Sequence, residues 1–157
     1  MNEPFDIVDP MGPLQIARVT ELFVEYAAWL NVDLCFQGFE QEVANLPGAY
    51  ARPDGRLYLA MAQGQAAGCI ALRRFDAHSG EVKRLWVRPP FRGRGLAREL
   101  VWRILAGARE VGYSRLLLDT LSSMTDAIAL YRSVGFRDIP AYYDNPLPGP
   151  VYMALEL

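Results

Sequence analysis

Residues 81–97 read EVKRLWVRPPFRGRGLA, and the fold turns on where this stretch changes character. Glu81–Val87 reads as a strand, which Pro89-Pro90 ends. From about Arg94 to Val111, the apolar residues Leu96, Leu100, Val101, Ile104, Leu105 and Ala108 share one side of a helix, and Gly112 stops it. The joint, Arg92-Gly93-Arg94-Gly95-Leu96-Ala97, is short of side chains and rich in backbone amides. A helix's first turn leaves its amides without intrahelical partners, and the helix dipole adds about half a positive charge there. Glycines let a phosphate approach such a backbone closely. The joint therefore reads as an anion cradle of the kind that holds a pyrophosphate.

Outward from the joint, Phe5–Val8 reads as a strand ended by Asp9-Pro10, and Leu14–Leu30 as an amphipathic helix. Leu34–Leu46 breaks at Gly38 into a short second helix, stopped by Pro47-Gly48. Arg56–Ala62 and Ala67–Phe75 form a hairpin across Gln63-Gly64-Gln65. Downstream, Arg115–Asp119 is a continuous apolar run expected of a strand covered on both faces. Asp126–Val134 is a helix capped by Gly135, Phe136 begins a strand, and Val151–Leu157 ends the chain as another. With no repeat and no linker, residues 1–157 make a single domain. Hairpin strands followed by strand–helix–strand–helix–strand predict a mixed, partly antiparallel α/β sheet.

Composition narrows the function. Apolar residues at 52% and charged residues at 22% exclude a disordered chain. A net charge of −2 excludes a general polyanion binder, so any phosphate recognition must be local. The arginines Arg84, Arg88, Arg92, Arg94 and Arg98 have only Trp86 and Phe91 interleaved, which argues against nucleic acid. Cys35 and Cys69 lack CxxC spacing, and His78 has no second histidine, so no metal is expected. MNEPFDIVDP has neither a basic nor an apolar leader region, and no apolar run spans a bilayer, so a soluble, cytoplasmic protein without membrane partners is expected. A dinucleotide fingerprint at Gly93-Arg94-Gly95 fails, because Arg98 occupies the third small position and Arg88–Arg92 separates strand from glycine.

Two runs carry a family resemblance. Arg92-Gly93-Arg94-Gly95-Leu96-Ala97 resembles the [Q/R]-x-x-G-x-[G/A] signature of the GNAT N-acetyltransferases. Ala127-Ile128-Ala129-Leu130-Tyr131-Arg132-Ser133-Val134-Gly135-Phe136 is similar to the superfamily's A-x-x-L-Y-x-x-x-G-F, in the same order with one helix and one strand between. The resemblance covers Glu81 to Phe136 closely. It implies an α/β fold with one mixed, mostly antiparallel sheet, about four flanking helices and a splayed strand pair at an acetyl-CoA site. It also implies acetyl transfer from acetyl-CoA, as cosubstrate, to a primary amine by direct attack in a ternary complex.

The resemblance further assigns residues. Amides of Arg92, Gly93, Arg94, Gly95, Leu96 and Ala97 would bind the pyrophosphate, and the backbone of Leu85, Trp86 and Val87 would pair with the pantetheine arm as an added strand does. Glu81 lies where several family members place a general base; the alternatives are a solvent-exposed carboxylate at a strand end or an ion pair with Lys83 or an arginine. Tyr131 lies where many place the acid that protonates the thiolate; the alternative is a core aromatic. Met124 stands where many have an asparagine on the pantetheine arm, with Ser122 or Ser123 as substitutes. The acceptor would be lined by Phe36 and Phe39 and by Tyr142 and Tyr143. These aromatics, with Glu40 and Asp144, suit a small cationic amine or an exposed amino terminus. A non-catalytic acyl-CoA-binding module is the competing class, and a homodimer is left open.

Overall fold

The computed structural model describes residues 4–31, 33–34 and 38–157. Seven strands form one sheet: β1 (Asp6–Val8), β2 (Arg56–Ala62), β3 (Gln65–Arg74), β4 (Ser79–Val87), β5 (Arg115–Leu121), β6 (Arg137–Ile139) and β7 (Pro150–Glu156). Their order across the sheet is β1-β2-β3-β4-β5-β7-β6. Every neighbouring pair is antiparallel except β4–β5. A parallel pair needs a crossover, and α3 (Leu96–Val111) supplies it. The other helices are α1 (Gly12–Leu30), α2 (Phe39–Ala44) and α4 (Thr125–Val134). This is the mixed α/β sheet that the sequence predicts, and β5 runs past Asp119 to Leu121.

Each sheet face has its own core. On one, Leu96, Leu100, Ile104 and Ala108 of α3 pack with Ile70, Leu72, Leu116 and Leu118; Tyr131 and Phe136 close that side. On the other, Val19, Leu22 and Phe23 of α1 pack on Leu57, Leu59, Cys69, Ala71 and Trp86. Leu100 and Ile104 are fully buried, and truncating either to alanine costs about 2–5 kcal/mol. Among the described residues, no helix is long and apolar enough to cross a membrane.

The feature that positions the site is a defect in the sheet. β4 and β5 pair only at Ser79↔Arg115, Gly80↔Leu116 and Glu81↔Leu117. Beyond that, β4 stays with β3 and β5 stays with β7, so the two strands splay. The cause lies in the β3–β4 register, where Ala71 faces Lys83 but Cys69 faces Trp86. Two steps on β3 match three on β4, which is a β-bulge, and bulges bend a strand and increase its twist. Arg84 sits in the bulge at φ +63°. The Cys69 thiol donates to the Arg84 carbonyl at 3.3 Å, satisfying a group that the bulge takes out of the ladder.

Candidate active site

The strand–helix joint forms as its glycines require. A single 3-10 turn at Pro89–Phe91 leads out of β4, and Gly93 and Gly95 follow at φ +76° and +81°, with Gly95 capping α3. Positive φ costs any other L-residue about 1–2 kcal/mol. Among the described residues, the amides of Gly93, Gly95, Leu96 and Ala97 have no backbone acceptor. A Cβ at Gly93 or Gly95 would meet nothing within 4 Å, so open space stands over these donors. Arg92 departs from the expectation: its amide donates to the Pro89 carbonyl at 3.2 Å and is used within the turn. Its guanidinium donates to the Val87 carbonyl and lies over the Trp86 ring, 5.0 Å from the centroid.

A cavity of about 480 Å³ opens from this joint along the Leu85–Val87 edge to the start of α4. That volume suits a small-molecule ligand. The Leu85, Trp86 and Val87 backbone has no strand partner on the β5 side, so its polar groups face the opening. Cradle, unpaired edge and cavity together fit a long ligand with a phosphate at one end. Replacing Gly93 or Gly95 with valine is expected to raise the CoA dissociation constant at least tenfold by calorimetry, ~1.4 kcal/mol. Positive φ adds strain, so the melting temperature should fall as well; unchanged affinity in both variants would remove the phosphate from this joint.

Inside the splay lies a smaller cavity of about 50 Å³. Lys83 and Arg84, at the bulge, both line this cavity together with Tyr26, Asp119, Met124 and Tyr131. Arg84 is clamped by Glu42 of α2, its Nε and Nη2 donating at 2.8 and 3.0 Å. Lys83 Nζ stands 3.8 Å from Asp119 Oδ1. Asp119 Oδ2 accepts from the Tyr143 hydroxyl and, at 2.9 Å, from Asn145 Nδ2. Burial lowers the Lys83 pKa, while Glu81 and Asp119 act against that shift. Desolvation also pushes the Tyr26 phenol up to about 12.

Glu81 sits outside this cavity, at the last paired position before the splay. Only 2% exposed, it accepts from Arg73 Nε and Nη2 at 2.9 and 2.8 Å and from the Tyr142 hydroxyl at 2.7 Å. A buried carboxylate needs such partners. Arg73 is thus an ion-pair partner of Glu81, and the Glu81 charge also acts on Lys83. The aromatics expected at the acceptor site make the following contacts. Phe39 lies beneath the Arg84 guanidinium at 5.2 Å, Tyr142 holds Glu81 and Tyr143 holds Asp119. Phe39 and Tyr143 thus brace charged groups of the cavity wall, and Tyr142 braces Glu81 outside it. Phe36 lies outside the described residues. Glu40, Asp144 and His78 are exposed, and Cys69 is a buried core thiol. Arg84 and Arg88 turn to Glu42 and Glu25, so the row of arginines divides between the two sheet faces and the joint.

The polar groups whose place in this cavity sequence reasoning missed are Asp119, Lys83, Arg84 and Tyr26, whereas Asn145 belongs to the loop expected at the acceptor site. Their signal is faint. Asp119 is the acid closing the run RLLLD, and Lys83 and Arg84 are adjacent cations in a strand that the fold buries.

Known proteins share this arrangement. The family described as "Acetyltransferase (GNAT) family" matches residues 18–136. The chain belongs to this family. It is an acetyl-CoA-dependent acetyltransferase. It is 41% identical over 138 residues to an uncharacterised N-acetyltransferase of Schizosaccharomyces pombe, covering 87% of this chain and 85% of the relative. It is 34% identical over 117 residues to the N-acetylaspartate synthetase of Danio rerio, covering 73% of this chain and 42% of that one. A GNAT family acetyltransferase of Elizabethkingia anophelis, solved with acetyl-CoA bound, superposes with a TM-score of 0.57 at 25% identity, over 66% of this chain and 77% of that one.

In this acetyltransferase α4 meets both cavities. Met124 is its N-cap residue and lines both. Ser123 lines the larger one, whereas the Ser122 amide donates to the Gly149 carbonyl at 2.7 Å. Tyr131 is 7% exposed, packs edge-on against Phe136, and reaches the wall of the smaller cavity. Burial raises its phenol above the ordinary tyrosine range, so it keeps its proton at any physiological pH.

Proposed function

We propose that this acetyltransferase acetylates the nitrogen of a primary amine by direct attack in a ternary complex. The splay carries the reading: it sets an amide cradle and an unpaired strand edge beside a small charged cavity, with Leu85, Met124 and Ala127 lining both cavities. The N-acetyl product in the zebrafish relative's name and the acetyl-CoA bound to the Elizabethkingia structure support it. Acetyl-CoA supplies an activated acetyl group and a thiol leaving group. Amides of Gly93, Gly95, Leu96 and Ala97 hold the pyrophosphate, with Arg92 contributing its side chain, and the Leu85–Val87 edge holds the pantetheine.

Asp119 is the one carboxylate lining the small cavity among the described residues, and we assign it as the proton acceptor for the incoming ammonium. A carbon–nitrogen bond then forms and the carbon–sulfur bond breaks. Tyr131 donates its phenolic proton to the departing sulfur and recovers one from the acetylated nitrogen or water. Glu81 holds Arg73 and Tyr142 in place. The test is free-thiol release from acetyl-CoA across a panel of amines, with an amine-free control. Amine-dependent release with N-acetyl product in equal amount is expected. Tight CoA binding with no release for any amine would make the protein a binding module instead.

A further inference from the structure

The small cavity is asymmetric in charge. Among the described residues, Lys83 and Arg84 line it together with one carboxylate, Asp119. These are buried charges, their side chains being 5%, 3% and 6% exposed. Glu42 balances the sum but not the direction, because it binds Nε and Nη2 of Arg84 and does not line the cavity. Glu81 is likewise outside, engaged by Arg73 and Tyr142. With Lys83 beside Asp119, the Arg84 guanidinium is the cation on which an entering group can be read.

Arg84 is also oriented. Glu42 fixes two of its nitrogens, the Phe39 ring supports the guanidinium, and the bulge holds its backbone at φ +63°. Strain in a long side chain's backbone persists where the surroundings enforce it, and such positions cluster at ligand clamps. The third nitrogen, Nη1, makes no hydrogen bond among the described residues. It is not among the sealed atoms that lack a partner either, so a water or ligand atom can reach it. A cavity of about 50 Å³ exceeds the ~10–15 Å³ that one water needs, so small polar groups can enter it.

We infer that the acceptor carries a carboxylate beside its amine, a free amino acid, with the carboxylate on Arg84 Nη1 and the amine turned toward Asp119. Once its ammonium has lost a proton, such an acceptor is a net monoanion, which the cationic wall complements. A polyamine would set a second cation against Lys83 and Arg84, and a protein amino terminus has an uncharged amide in place of the carboxylate. This inference rests on the N-acetyltransferase reading.

The experiment compares kcat/KM for the twenty L-amino acids, their α-amides, spermidine and a short peptide. The best amino acid is expected to exceed its own amide by about a hundredfold, the scale on which a site built to hydrogen-bond a charged group rejects an uncharged analogue. Arg84→Lys, which keeps the charge near Glu42, and Arg84→Met should each collapse that ratio toward one, and CoA titration reports whether each variant folds. If Arg84→Met does not fold, the lysine variant carries the test. Amides accepted as well as acids would overturn the inference and leave N-acetyl transfer standing. An acid preference unchanged in the Arg84 variants would move carboxylate recognition elsewhere and equally overturn it. No thiol release with any compound would instead sink the N-acetyltransferase reading, and this inference with it.

Discussion

Asp119→Asn is expected to lower kcat/KM for the acceptor by about 10²–10⁴-fold at neutral pH, the usual worth of a general base. Asparagine keeps the shape and still accepts from Tyr143 and Asn145, but it cannot take a proton. The deficit should shrink as pH rises toward the amine's own pKa, because more acceptor then arrives already neutral. Glu81→Gln supplies the contrast. It removes a buried carboxylate from Arg73 and Tyr142, so it should lower the melting temperature by several degrees, at ~2–4 °C per kcal/mol for a chain of this size. Its activity loss should not follow the amine's titration. The check is a pH profile of kcat/KM for the three proteins. A shrinking deficit in Glu81→Gln and a constant one in Asp119→Asn would exchange the two roles.

Tyr131→Phe should lower kcat by about ten- to a thousandfold while leaving acetyl-CoA affinity nearly unchanged. Its hydroxyl acts as the carbon–sulfur bond breaks, so removing it raises the barrier without weakening ground-state binding. Each factor of ten is ~1.4 kcal/mol. Phenylalanine preserves the edge-on contact with Phe136, so the melting temperature should hold. The readouts are steady-state kcat and a CoA titration. Wild-type turnover would make Tyr131 a core aromatic alone.

The legible part of this fold was local. Gly93 and Gly95 announce a turn with positive φ, Leu96 to Ala108 announce a helix face, and Gly112 and Gly135 announce stops, all within a few residues of what they control. The elements followed, and so did the backbone geometry of the joint. The bulge was not legible, because it is a mismatch between β3 and β4 and exists only once both strands are paired. Simple alternation puts Lys83 and Leu85 on one face, with nothing marking Arg84 as the residue that breaks it. The partner of Glu81 was ambiguous for the same reason: Arg73 faces it across the hairpin, but Lys83, two residues along, is as good a candidate in sequence. Asp119 was hidden by its apolar run. Its importance comes from the splay, which leaves it facing a cavity where a paired strand would otherwise lie. Nor does the sequence show that the hydroxyls of the loop aromatics Tyr142 and Tyr143 bind the carboxylates of Glu81 and Asp119, which lie far from them along the chain.

Direct transfer between two ligands held in one splay is tested most sharply by a single turnover. The protein, in excess over acetyl-CoA labelled in the acetyl group, is mixed with an accepted amine and quenched over time, and free thiol, N-acetyl product and protein mass are read together. Thiol and product should rise together with one rate, only when amine is present, with no label left on the protein. A burst of thiol without amine, leaving one acetyl group on the chain that a later addition of amine removes at a competent rate, would contradict the account.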